Sequence, residues 1–115
     1  MKLTVNKAQI IEGLLKAAAI IPAKAGAQYL RSIWLKAEDG SLSVMSTDAN
    51  IEFTGRYPAE VAQPGLIGVQ GKAFVDLVRQ LPTGVLNLTL DEASGNLLLE
   101  QGRRTYKLPV SGAEW

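Results

Sequence analysis

The sequence contains neither cysteine nor histidine in its 115 residues. Without cysteine the chain can form no disulfide framework and no thiolate metal site, which fits a reducing compartment. Without histidine it lacks the commonest general base and the commonest metal ligand, so Ser-His hydrolases and His-ligated zinc enzymes are excluded. Carboxylate chemistry is the catalytic route that remains, and neither a metal nor a cofactor is predicted.

A strong charge imbalance and a long apolar run are also missing. Lys and Arg number 12 against 11 for Asp and Glu, so composition alone does not indicate nucleic acid or an anionic membrane. The apolar stretch at residues 10–21 is interrupted by Glu12 and Lys16, which makes it too short and too charged for a membrane span or a signal peptide. We therefore expect a cytoplasmic protein. The 47% apolar content fits one domain with its own core.

The first half of the chain predicts a strand, a helix and three further strands. Residues 2–5 form a short β-type run, after which Asn6 can cap a helix that ends before Pro22. Residues 23–28 are small and polar and predict a loop. Asp39-Gly40 is a hairpin signal between the first two of three antiparallel strands, at residues 29–37, 42–44 and 51–54.

The second half repeats this plan. A strand at residues 66–69 leads into a helix at residues 71–81, which Pro82 and Gly84 stop. Three strands follow at residues 85–90, 96–100 and 103–108, with turns at Ser94-Gly95 and Gln101-Gly102. We therefore predict a single α+β domain with a duplicated β-α-β-β-β unit, residues 1–60 and 61–115, and two helices packed on antiparallel sheets.

Two carboxylate pairs are the catalytic candidates. Asp48 with Glu52, and Asp91 with Glu92, could in principle divide acid and base roles. Both pairs stand at turns or strand ends, where short polar side chains bond to the local backbone. A structural turn is therefore the favoured interpretation, and we do not predict an enzyme.

Basic residues share the polar side of each predicted helix. Lys72 and Arg79 are seven residues apart on the second helix and nearly eclipsed, while Lys16 lies on the polar side of the first. On spacing alone, a solvated charged face is the favoured interpretation of these positions.

Several stretches together resemble the start of bacterial β sliding clamps. The segments Met1-Lys2-Leu3-Thr4-Val5, Asp39-Gly40-Ser41-Leu42-Ser43 and Ser46-Thr47-Asp48 carry the resemblance, and it continues through residues 69–82 and 102–109. It thus spans nearly the whole chain in order. The resemblance implies the first of three domains in a crescent. Two crescents close head to tail into a ring around duplex DNA, with helices inside and sheets outside, and this ring tethers the replicative polymerase without catalysis.

The resemblance also implies roles for individual residues. Lys72 and Arg79 match basic positions of the second helix, Lys24 matches a basic loop position that reaches the DNA backbone, and Lys16 is a weaker candidate. For the contact with a second clamp chain, the family uses the last strand of this domain, which here carries Arg103, Arg104, Tyr106 and Leu108. Tyr106 and Leu108 could instead be core residues of the domain itself.

Other features depart from the family or lie beyond this sequence. Ala73 and Thr105 stand where relatives carry basic residues, so the number of ion pairs at the chain–chain contact is open. The polymerase and the clamp loader bind, in the family, through domains that this sequence does not contain, so we expect a fragment of a longer protein. The alternative is a small α+β binding module of unknown ligand.

Overall fold

The computed structural model describes residues 1–22, 27–111 and 115. In chain order, the first half comprises β1 (Lys2–Asn6), α1 (Lys7–Ala19), α2 (Gln28–Arg31), β2 (Ser32–Glu38), β3 (Ser41–Thr47) and β4 (Glu52–Pro58). The second half comprises β5 (Glu60–Gln63), β6 (Gly65–Gln70), α3 (Gly71–Gln80), β7 (Val85–Asp91), β8 (Asn96–Gln101) and β9 (Arg104–Pro109). No helix within the described ranges is long and apolar enough to cross a membrane.

The strands form two antiparallel sheets that exchange strands between the halves of the chain. One sheet has the order β5-β1-β7-β8-β9 and the other β4-β3-β2-β6. One strand of each half pairs with the other half: Val5 of β1 lies opposite Leu86 of β7, and Val69 of β6 lies opposite Ile33 of β2. Neither half can therefore complete its sheet alone. Apart from α2 and β5, the order β1-α1-β2-β3-β4 recurs as β6-α3-β7-β8-β9, while duplication of the sequence itself stays a prediction.

Both long helices pack on the inward faces of the sheets. α1 buries Ile10, Leu14 and Ala17, and α3 buries Phe74 and Val78, all with no exposed surface. Full burial of an apolar side chain of this size contributes about 1.5–3 kcal/mol. The helices also contact each other, so each presents its remaining side outward and away from the sheets.

Local sequence explains where these elements begin and turn. The Asn6 side-chain oxygen accepts a hydrogen bond from the Ala8 backbone N–H at 3.0 Å, which caps α1 as predicted. α1 ends at Ala19, before Pro22. Gly40 has φ +73°, the left-handed conformation that its hairpin turn requires and that glycine adopts without steric cost.

The structure corrects the sequence-based prediction in two places. Residues 29–31 belong to the short helix α2 and not to the strand, which begins only at Ser32. The Ser32 hydroxyl donates to the Gln28 carbonyl oxygen at 2.8 Å, a local bond that competes with strand pairing. The prediction also omitted β5, which forms because its Val61 pairs with Leu3 of β1 at the open edge of that sheet. Of the loop predicted at residues 23–28, residues 23–26 lie outside the described residues, and Gln28 is the first residue of α2.

Candidate nucleic-acid interface

The outward sides of α1 and α3 form one polar face, which we call the helix face. Its exposed members are Gln9, Glu12, Leu15, Lys16, Lys72, Ala73, Asp76, Arg79 and Gln80. Lys72, Arg79 and Lys16 were all predicted for DNA contact, and the structure places them on this face. Lys24, the fourth predicted residue, lies outside the described residues.

Two of these cations already have carboxylate partners. Lys16 Nζ lies 2.9 Å from Glu12 Oε1, and this hydrogen bond raises the pKa of the Lys16 ammonium above its ordinary value. Arg79 Nη1 lies 3.8 Å from Asp76 Oδ1, one turn earlier on α3. Both pairs are largely exposed to water, where such contacts contribute little to stability. They do, however, reduce the net positive charge that these two positions offer to an anion.

Lys72 stands at the start of α3 beside a second cation that the sequence analysis missed. Lys72 and Arg31 line the same cleft together with Ile21, Pro22 and Gln70. Among the described residues, neither Lys72 nor Arg31 has an ion-pair partner. The signal available in the sequence was Arg31 itself, a charge inside the otherwise largely apolar segment that had been assigned to a strand.

Lys7 fixes the relative position of the two helices. Its ammonium donates to the Arg79 carbonyl oxygen at 3.1 Å and also to the Leu81 carbonyl oxygen, both at the end of α3. Its backbone N–H donates to the Gly84 carbonyl oxygen at 2.9 Å. A cation at this position also satisfies the negative end of the α3 dipole. The start of α1 is thereby held against the end of α3.

The second predicted surface is the last strand. β9 is an edge strand of its sheet, so one side of its backbone is open to pairing. Arg103, in the turn, and Arg104 are exposed, and Tyr106 is half-buried against the core. Leu108 is only 7% exposed and belongs to the core of this domain. This burial agrees with the alternative stated above, in which Leu108 packs inside the domain, and a role for Leu108 at the chain–chain contact stays a prediction.

In both candidate carboxylate pairs, the aspartate accepts hydrogen bonds from nearby residues of its own turn. Asp48 Oδ1 accepts hydrogen bonds from the backbone N–H groups of Asn50 at 2.8 Å and Ile51 at 2.6 Å. These bonds, the one from Ile51 first, lower the pKa of Asp48. Asp91 accepts from the Ser94 hydroxyl at 2.8 Å, which lowers its pKa in the same way. Within the described part of the chain, no group of three or more acidic residues is placed to hold a metal ion.

Two helices side by side on two antiparallel sheets, with an outward polar face and an open edge strand, define the class as an α+β domain. The sequence profile of one protein family, described as "DNA polymerase III beta subunit, N-terminal domain", matches residues 1–114. The chain belongs to this family. The α+β fold predicted from the sequence is confirmed.

Individual relatives agree with the family match. The beta sliding clamp of Streptomyces coelicolor is 31% identical over 111 residues, 96% of this chain and 30% of the relative. Among solved structures, Caulobacter crescentus pol III beta superposes with a TM-score of 0.91 at 29% identity, over 96% of this chain and 30% of that one. A Pseudomonas aeruginosa DNA polymerase III subunit beta gives 0.89 at 25% identity, over 98% and 31%. The chain therefore spans about 30% of the length of the relatives it matches.

Proposed function

We propose that this chain is the first domain of a non-catalytic processivity ring that encircles duplex DNA in the bacterial cytoplasm and tethers the replicative polymerase. The observation that carries the proposal is the family match over residues 1–114, together with the 0.91 superposition on a pol III beta structure. Because a ring holds DNA by topology, the domain needs a pore-facing surface and a closure surface but no reacting groups. The polymerase and the clamp loader bind through other parts of the complete protein.

The helix face is the surface we assign to the DNA. Lys72, Arg79, Lys16 and Lys24 contact phosphates loosely and without reading bases, because backbone contacts carry no sequence information. Sequence-neutral contacts suit a sliding part, since a bidentate contact to a base is worth about 1–3 kcal/mol of discrimination and would stop movement at that base. The exposed position of Lys16, Lys72 and Arg79 supports this assignment.

The open edge of β9 is the surface we assign to ring closure with a second copy of the complete chain, head to tail. Arg103 and Arg104 are exposed and can meet carboxylates across the joint, and half-buried Tyr106 offers an aromatic anchor. Leu108 supports the strand from the core side. The isolated domain is then monomeric, because the surface that complements β9 belongs to another domain of the second chain.

Retention on circular DNA tests the ring directly. We expect the protein expressed from the complete reading frame, loaded on a nicked circular plasmid, to co-elute with that plasmid in high salt and to be released when a restriction enzyme linearises it. Release on linearisation is peculiar to topological binding. Retention that ignores linearisation, or a reading frame that encodes no further strand and helix repeats, would contradict the proposal and favour the small α+β binding module.

A further inference from the structure

We propose that Arg31 and Lys72 together bind one phosphate group of the DNA backbone in the cleft between the end of α1, α2 and the start of α3. The inference rests on the proposed function and adds a binding residue to it. The cleft has a volume of about 200 Å³ and is lined by Ile21, Pro22, Arg31, Gln70 and Lys72.

Tight backbone packing brings the two cations to this cleft. A Cβ at Gly71 would lie 3.0 Å from the Arg31 carbonyl oxygen and 3.1 Å from Ile33 Cγ1, so glycine lets α3 begin this close to α2 without displacing its neighbours. Lys72 follows Gly71 directly. The side chains of Arg31 and Lys72 therefore start from two backbones in close contact, and both remain exposed.

The charge of the cleft is unbalanced. Among residues 1–22, 27–111 and 115, no acidic side chain lines the cleft, and neither Arg31 nor Lys72 forms an ion pair. Lys16 and Arg79, by contrast, are paired with Glu12 and Asp76. Among the described residues of the helix face, Lys72 is therefore the cation without a carboxylate partner, and Arg31 lines the same cleft.

The two side chains suit a phosphate diester. The planar Arg31 guanidinium can donate in parallel to the two non-bridging oxygens, while the Lys72 ammonium adds a compact charge with adaptable hydrogen bonds. Ile21 and Pro22 supply an apolar border that displaces water from one side and strengthens the attraction. A phosphate carries no sequence information, so a contact of this kind is compatible with sliding.

A salt titration of four variants tests the inference. The isotope-labelled 115-residue protein is titrated with a short DNA duplex of mixed sequence, and NMR shift changes give the dissociation constant at several salt concentrations. We expect Arg31→Ala and Lys72→Ala each to reduce the slope of log affinity against log salt by a part of about 0.9, the value for one lost phosphate contact, because the two residues share one phosphate. Arg31→Lys should keep the slope and bind more weakly, because the charge remains but the parallel pair of hydrogen bonds is lost.

Lys36→Ala is the matched control, because it removes one positive charge from β2 on the opposite side of the domain. If Arg31→Ala behaves like Lys36→Ala while Lys72→Ala lowers the slope, the Arg31 inference is overturned and the proposed function stands. If the unaltered protein shows no shift changes with duplex even at low salt, the assignment of the helix face to DNA fails as well. Circular dichroism of each variant verifies that the fold is retained.

Discussion

The Lys7 ammonium at the start of α1 donates a hydrogen bond to the Arg79 carbonyl oxygen at the end of α3, across 3.1 Å. The two residues are 72 positions apart in the sequence. The bond joins the first half of the chain to the second beneath the helix face. It therefore links the relative position of the basic residues on α1 and α3 to the stability of the domain.

Replacing Lys7 by Met should destabilise the protein. The change keeps most of the side-chain length but removes the hydrogen bonds to the Arg79 and Leu81 carbonyl oxygens and the favourable charge at the end of α3. We expect a loss of about 1–2 kcal/mol in the free energy of unfolding, measured by urea denaturation. Lys36→Met, on the outer side of β2, is the control and should change stability by less than about 0.5 kcal/mol. Equal effects of the two changes would contradict the assigned role of Lys7.

We predict that position 13 in α1 must be glycine because the Tyr57 ring packs against it. A Cβ at Gly13 would overlap the phenol ring of Tyr57, which reaches from β4 to the helix. In an unobstructed helix, Ala in place of Gly gains about 1 kcal/mol. We expect Gly13→Ala instead to destabilise by about 1–3 kcal/mol, because the ring must leave its place.

The effect of Gly13→Ala on the free energy of unfolding should change sign when the Tyr57 ring is removed. In a Tyr57→Ala background, Gly13→Ala should stabilise the protein or leave it unchanged, which a double-mutant cycle in urea unfolding measures. If Gly13→Ala destabilises the protein equally in both backgrounds, the Tyr57 ring is not what makes alanine unfavourable at position 13.

Acid stability should depend on Asp48. Its pKa is lowered in the folded state by the backbone hydrogen bonds from Ile51 and Asn50. A depressed folded pKa means that the carboxylate contributes stability fully above its ordinary value of 3.8, and that this contribution is lost as the pH falls through the folded pKa. Asp48→Asn should therefore flatten the pH dependence of the unfolding midpoint below about pH 4.

Glu92→Gln serves as the comparison for Asp48, since Glu92 is exposed and forms no hydrogen bond within the described ranges. Thermal unfolding of both variants and of the unaltered protein across acidic pH gives the comparison. An acid profile of Asp48→Asn that superposes on that of the unaltered protein would rule out this role for Asp48.

Releasing Lys16 from its partner should strengthen DNA binding. Glu12→Gln removes the carboxylate that lies 2.9 Å from Lys16 Nζ, so that the Lys16 charge is offered to the phosphates in full. We expect a higher affinity for duplex DNA and a salt slope steeper by up to about 0.9. Glu38→Gln makes the same change in net charge at the Lys36–Glu38 pair of β2, away from the helix face. If both variants gain the same affinity for duplex DNA, the change in net charge alone explains the gain, and Lys16 has no local role in binding.

Much of the local structure could be predicted from the sequence, because the signals act over a few residues. The Asn6 cap, the apolar spacing of α1 and α3, and the Asp39-Gly40 turn each predicted an element that the structure contains. The resemblance to sliding clamps was also carried by the sequence, and the family match over residues 1–114 confirms it.

Tertiary structure decided the features that depend on distant partners. The pairing of β1 with β7 and of β6 with β2 joins residues that are far apart, and β5 exists because the edge of β1 was open to it. The burial of Leu108 likewise depends on parts of the domain that are distant from it in the sequence.

The candidate site shows the same division. The sequence placed basic residues on the outward sides of the helices, since helical periodicity alone determines which residues share a side. It could not show which of them are neutralised or that Arg31 stands beside Lys72, because ion pairing and cleft formation depend on how separate elements pack. For this protein, the sequence by itself determined the family and most of the elements, and the close approach of α2 and α3 decided which of the described cations meet at one cleft without a carboxylate partner.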